Sequence, residues 1–145
     1  MADLTQGRMA QPISFKSGSV VLAASQTVYK GGVACIDPST NAFKKMAGGS
    51  ASANLMPVGM FAEDAVTTDA GTGRVMVVLN QELWGQWLDN AGGGSAVTTA
   101  NLYTNCYASD DHTVCNVSGN AFAGTVWDLD TLKGVFVVFF DTLGY

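Results

Sequence analysis

The chain has 145 residues and a formal net charge of −5, and 13% of its positions are charged, about half the share of an ordinary soluble domain. Hydrophobic residues reach 48%, which excludes a disordered, highly charged tail. Seven Lys and Arg against twelve Asp and Glu exclude a basic nucleic-acid binder.

Residues 1–17 (MADLTQGRMAQPISFKS) lack the charged start and apolar stretch of a signal peptide. They hold no period, and Gln11-Pro12-Ile13-Ser14-Phe15 is extended in character. The segment reads as a disordered tail or, more sharply, as an arm that adds a strand to a neighbouring sheet through Ile13 and Phe15. The domain then runs from 18 to 145.

Val28–Ile36 is β-rich and contains a Gly pair. Asp37-Pro38-Ser39-Thr40-Asn41 is a turn in which Pro38 presets φ and the Asx side chains bond local backbone. Ala42–Met46 returns from it, and Pro57–Ala62 and Arg74–Asn80 are two further strands. Gly71-Thr72-Gly73 lacks the third glycine of a dinucleotide fingerprint and precedes a strand, where a phosphate cradle needs a helix N-terminus.

The exception is a predicted short helix near 81–91. Asn80 can cap it, Gly92 or Gly93 can end it, and Leu83, Trp84, Trp87 and Leu88 share one helical face. Trp84 and Trp87 are then either core or candidate partner interface.

Tyr103–Ala108 and Thr113–Val117 bracket Ser109-Asp110-Asp111-His112 as a hairpin, and Ala121–Leu129 and Gly134–Asp141 complete the set. A loop centred on Asp110-Asp111 places Cys106 opposite Cys115, where a cross-strand disulfide could form. Two buried free thiols are the favoured reading, and a metal site from Cys106, His112 and Cys115 has no four-ligand spacing. No cofactor is expected.

The second half reads as a loose copy of the first. VACIDPSTNAFKKM matches NCYASDDHTVCNV, Val58–Phe61 matches Ala123–Val126, and Arg74–Leu79 matches Lys133–Val138. The expected fold is all-β: a single β-barrel, β-tulip-like or sandwich domain built from two duplicated halves.

Chemistry is sparse. His112 is the one histidine and sits in a turn, and no Gly-x-Ser-x-Gly elbow accompanies it. Glu63-Asp64 and Asp128/Asp130 follow matching strands, but carboxylates there are more often turn formers than a paired acid and base. The chain is expected not to be an enzyme.

The strand–acidic turn–strand cadence of ANLYTNCYASDDHTVCNVSGNAFAGTVWDLDTLKGVFVVF, repeated in KGGVACIDPSTNAFKKM…VGMFAEDA, resembles the head decoration (capsid cement) proteins of tailed bacteriophages. That resemblance implies a β-rich homotrimer on the capsid exterior, made in the host cytoplasm, that binds the major capsid protein and bridges capsomers. It implies no catalysis, no nucleic acid and no membrane. Another virion component (a head fibre or tail protein) and a carbohydrate-binding module using Trp84, Trp87 or Trp127 are the rival readings.

Overall fold

β-Branched residues alternating with small ones build twelve strands in the computed structural model, which describes residues 17–79 and 84–139. In the first half these are β1 (Ser17–Leu22), β2 (Thr27–Val28), β3 (Val33–Asp37), β4 (Ala42–Lys45), β5 (Met56–Phe61), β6 (Ala65–Val66) and β7 (Gly73–Leu79). In the second half they are β8 (Trp84–Asn90), β9 (Asn105–Ala108), β10 (Thr113–Cys115), β11 (Phe122–Asp130) and β12 (Gly134–Phe139). Each half closes into its own five-stranded barrel, in the order β1-β4-β3-β5-β7 and β8-β10-β9-β11-β12. Closure leaves neither barrel with an open sheet edge, and β2 pairs with β6 in a separate two-stranded ribbon.

The expected all-β, two-half architecture is what the chain forms, and the duplication extends to the register. An offset of 65 in β5 and of 60 in β7 converts the pairs Met60↔Val78 and Phe61↔Val77 into Thr125↔Val138 and Val126↔Val137. Offsets of 72 and 71 carry Cys35↔Lys44 and Ile36↔Phe43 onto Tyr107↔Cys115 and Ala108↔Val114. An offset of 68 carries β1 onto β8: Val20↔Val75 becomes Leu88↔Val135, and the parallel pair Leu22↔Phe43 becomes Asn90↔Val114. Even the bulge is shared. Val58 is the extra residue between the pairs at Pro57 and Gly59, and Ala123 is the extra residue between those at Phe122 and Gly124. A bulge bends its strand and strengthens the local twist, so both barrels turn the same corner.

The predicted helix near 81–91 is not formed where the chain is described: Trp84–Asn90 is strand β8. A helix would stack Trp87 and Leu88 on one face, whereas the strand sends them to opposite faces. Leu88 is buried in the core and Trp87 is half-buried. The strand wins because β8 fills the slot between β10 and β12 that β1 fills in the first barrel; without it the second barrel would stand open. Among the described residues the helical content is confined to single 3-10 turns at Ser50–Ser52, Gly93–Ser95 and Thr99–Asn101.

Leu22, Val28, Ala34, Phe61, Val75 and Val77 form the first barrel's core. The opposite face of β3 does not meet water. Val33 and Cys35, with Met46 and Leu55, merge into one apolar cluster with Leu88, Cys106, Ala108, Val114, Val126, Val135 and Val137 of the second barrel. The barrels therefore share a core across their seam. Ser17, the last residue of the segment read as an arm, pairs with Val78 in β1; the rest of that segment lies outside the described residues.

Candidate functional site

A cleft of about 510 Å³ lies on the seam between the barrels, walled by Tyr29, Lys30 and Lys45 on one side and Trp87, Asp89 and His112 on the other. Its first wall is the Tyr29–Gly32 turn. The Gly32 N–H donates to the Tyr29 carbonyl (3.1 Å), the Gly31 N–H donates to the Phe61 carbonyl (2.9 Å), and the Lys30 N–H donates to Asp64 Oδ1 (2.9 Å). Gly31 has φ +92°, a conformation that favours glycine. The second wall is β8 and the β9–β10 hairpin. The Val33 N–H donates to the Asp111 carbonyl (2.7 Å) and Gln86 Nε2 to the Gly31 carbonyl (3.2 Å), which ties the walls together. Gln86 Oε1 is buried there with no hydrogen-bond partner, an acceptor turned toward the seam.

At the cleft's rim His112 stands among three carboxylates. Its Nδ1 lies 2.8 Å from Asp111 Oδ1 and 3.1 Å from Asp110 Oδ1, and its Nε2 lies 3.7 Å from Asp89 Oδ2. The hydrogen bond that the imidazole donates to Asp111, helped by the field of all three carboxylates, raises its pKa above the ordinary value against a smaller effect of burial. The Asp110–Asp111–His112 group has ligand-like spacing, yet its atoms already satisfy one another, since the His112 N–H also donates to Asp110 Oδ1 (2.9 Å). What this rim can do chemically is accept and donate hydrogen bonds. Among the described residues no serine, threonine or cysteine lines the cleft.

The cysteines are elsewhere. All three are free and buried. Burial pushes Cys35 up and Cys106 up to about 12, so neither is a thiolate at neutral pH. The expected opposition of Cys106 and Cys115 is off by one residue: Cys115 pairs with Tyr107, and Ala108 with Val114. A one-residue slip sends a side chain to the other face, which is why the bridge does not form. Cys115 Sγ instead donates to the Ala108 carbonyl (3.7 Å). A ligand set of Cys106, His112 and Cys115 is likewise not assembled, because both thiols are buried and His112 is exposed.

The paired carboxylates serve the backbone. Glu63 Oε1 accepts from Met76 N–H (3.0 Å), Asp128 Oδ1 from Leu129 N–H (2.8 Å), and Asp130 Oδ1 from Leu132 and Lys133 N–H (2.7 and 2.9 Å). The two turn bonds hold the Asp130 carboxyl below the usual range. With Asp64 on Lys30, all four acidic groups singled out from the sequence fasten turns or strand ends.

Of the candidate interface residues, the structure describes one side chain. Trp87 packs on Phe136, its direct cross-strand partner (centroids 5.2 Å apart), and Lys133 Nζ sits 5.4 Å from its ring centre. Trp84 pairs with Phe139 through its backbone, and its side chain, like Ile13 and Phe15, lies outside the described residues. A different aromatic pair stands in solvent: Trp127, 55% exposed, meets Tyr103, 66% exposed, edge-on at 5.4 Å. Trp127 is the extra residue of a second bulge between Val126 and Asp128, and Tyr103 has φ +65°. Tyr103 escaped sequence reading as a site residue, although the repeat holds the signal. Its N–H donates to Val126 O (2.7 Å) just as Gly31 N–H donates to Phe61 O, so a tyrosine occupies the glycine's position.

Comparison with known proteins finds no matching family model, no matching curated protein and no matching solved structure.

Proposed function

We propose that this chain is a non-catalytic structural protein of a phage virion, self-associated as a homotrimer, that binds the outer surface of the capsid and cements neighbouring capsomers. The observation that carries the reading is the division of labour among its side chains. The acidic groups, thiols and imidazole named above are engaged in turns, cores or one another, while Tyr103, Trp127 and Leu132 (95% exposed) are held out on strands and turns. Aromatic side chains on a preformed surface bind macromolecular partners with little loss of conformational freedom. Scarce charge also lowers the desolvation cost of covering such a surface. Several copies on one particle would multiply a modest single-site affinity.

The test is co-sedimentation of purified chain with undecorated capsids. The full chain, a chain lacking residues 1–16 and a Trp127→Ala variant are compared, all checked for a native circular-dichroism spectrum. Pelleting of the full chain and weaker pelleting of both others is expected. A full chain left in the supernatant removes the proposal, and a truncated chain that pellets equally removes the arm from it.

A second reading is favoured by the cleft alone. Trp87 and Tyr29 beside Lys30, Lys45 and Asp89 offer an aromatic wall with polar groups suited to a carbohydrate. Tryptophan fluorescence titrated with polysaccharides decides it, and an unchanged spectrum dismisses it.

A further inference from the structure

The two barrels meet through unlike surfaces. The first contributes the Tyr29–Val33 segment and Gly48; the second contributes the β9–β10 hairpin and β8. Val33 N–H donates to the Asp111 carbonyl, Gln86 reaches the Gly31 carbonyl, and a Cβ on Gly48 would lie 2.5 Å from the Ser109 carbonyl oxygen. A two-fold contact would pair each of these surfaces with its own equivalent. This contact is heterologous, and a heterologous contact between like units leaves one of each surface unused at the two ends.

Both unused surfaces can be located by the register. The equivalents of Gly32, Val33 and Met46 are Thr104, Asn105 and Val117, all exposed. The offset of 71 carried on from β10 puts Gly119 at the position of Gly48. Gly48 is closed over by Ser109, whereas nothing lies within 4 Å of a Cβ on Gly119. At the other end, the counterpart of the Asp110–His112 turn is the one-residue-longer turn Pro38–Asn41, exposed throughout, while Ser109 corresponds to the buried Asp37 at its base.

Side-chain size is exchanged between the two ends. Within the chain, Gly31 lines the same cleft as Trp87, which packs on Phe136, and Ala62 is the small residue that follows β5. The equivalents of Gly31 and Ala62 are the bulky Tyr103 and Trp127, and those of Trp87 and Phe136 are Ser19 and Met76. Large against small within the chain becomes large against small between chains, with sides reversed. Met76 and Val21, 37% and 38% exposed, supply apolar surface for the aromatic pair to cover.

We propose that a second copy of this chain occupies this face: the Pro38–Asn41 hairpin of one chain seats on Thr104, Asn105, Val117 and Gly119 of the next. Chains thereby join head-to-tail by repeating their internal contact. The inference deepens the self-association named above and does not depend on capsid binding.

Engineered disulfides test it directly. A Cβ at Gly32 would lie 3.6 Å from Asp111 Cγ. The corresponding pair between chains, Thr104 and Thr40, should therefore fall within disulfide reach. The variants Thr40→Cys and Thr104→Cys are oxidised separately and as an equimolar mixture; the native thiols are buried and do not compete. The expected result is a cross-linked dimer in the mixture at more than about ten times the yield of either variant alone, because a heterologous contact never brings like positions together. No excess in the mixture, or efficient self-linking of Thr40→Cys, overturns the inference. A second measurement uses Gly119→Trp, which has room to fold. Its sedimentation velocity should fall to that of a single chain, and an assembly of unchanged size overturns the inference. A single-chain protein that still pellets with capsids sinks this proposal alone. An assembled protein that does not pellet sinks the capsid reading alone.

Discussion

At Gly48 and Gly119 the same residue type meets opposite surroundings, and that contrast separates packing from habit. A methyl group on Gly48 must displace backbone at Ser109, and forcing atoms into a packed seam costs about 1–3 kcal/mol. Gly48→Ala should therefore lower the unfolding free energy obtained from urea titration by that amount. Gly119→Ala, assayed at dilution where single chains prevail, should stay within about 0.5 kcal/mol of the parent. Equal losses would mean that the seam is not where Gly48 matters. Asp37 makes a second residue-scale case. Lys44 Nζ lies 2.8 Å from its carboxylate, while Ser39 donates from both Oγ (2.6 Å) and N–H (3.0 Å). These bonds bring its pKa down to about 2. An unfolded aspartate titrates near ~3.9, so the charged form stabilises the fold fully above that pH, and the benefit is lost as pH falls through about 2. Thermal melts of Asp37→Asn against the parent should show a gap at pH 5 that narrows steadily toward pH 2. A gap independent of pH would assign the effect to packing.

At the scale of elements, the turns and most strands were legible in the sequence because their signals are local. Pro38 and the Asx residues around it make the β3–β4 turn from their own side chains, and the expected cores of β3, β4, β5, β7 and β9–β12 lie where the β-rich runs placed them. Strand β8 was not legible. Its Trp84, Trp87 and Leu88 spacing fits a helix, and the contrary information sits in partners distant in sequence. Gly85 is one such trace: a Cβ there would collide with the Phe136 ring, which crosses the glycine from the neighbouring strand. A strand glycine often marks such a close approach. Gly85→Ala should cost about 1–3 kcal/mol. Combined with Phe136→Ala, it should cost less than the sum of the single changes by at least about 0.5 kcal/mol. Strict additivity would place the ring elsewhere. The Cys106–Cys115 register failed for a related reason. Five residues, not four, separate the paired Ala108 and Val114, and loop length sets which faces the thiols take.

Across the whole molecule, two closed barrels would suggest two folding units, but the apolar cluster at the seam argues otherwise. Val33, Cys35 and Met46 are buried in an apolar cluster made mostly of second-barrel residues. A first half expressed alone would expose them to water, with each large apolar side chain forfeiting about 1.5–3 kcal/mol of burial. Urea unfolding of the full chain should therefore follow one transition, coincident by tryptophan fluorescence and far-UV circular dichroism, and residues 17–79 alone should remain unfolded. Two separate transitions would show the barrels to be independent.

The sequence by itself determined the all-β class, the turn chemistry and the two-fold duplication, because alternation, Gly and Pro placement and repeated cadence are properties of neighbours along the chain. It also pointed to the structural use of the acidic turns. Only the tertiary structure decided that a helix-like segment is the fifth strand of a barrel, that each half closes on itself, and that one tryptophan packs on a phenylalanine while another stands in water. Those outcomes depend on which distant strand arrives at each edge, and that is settled by closing the sheet and burying its remaining face. The same closure turned a loose sequence repeat into two barrels of matching register, and so revealed which copy of each surface is covered and which is left open.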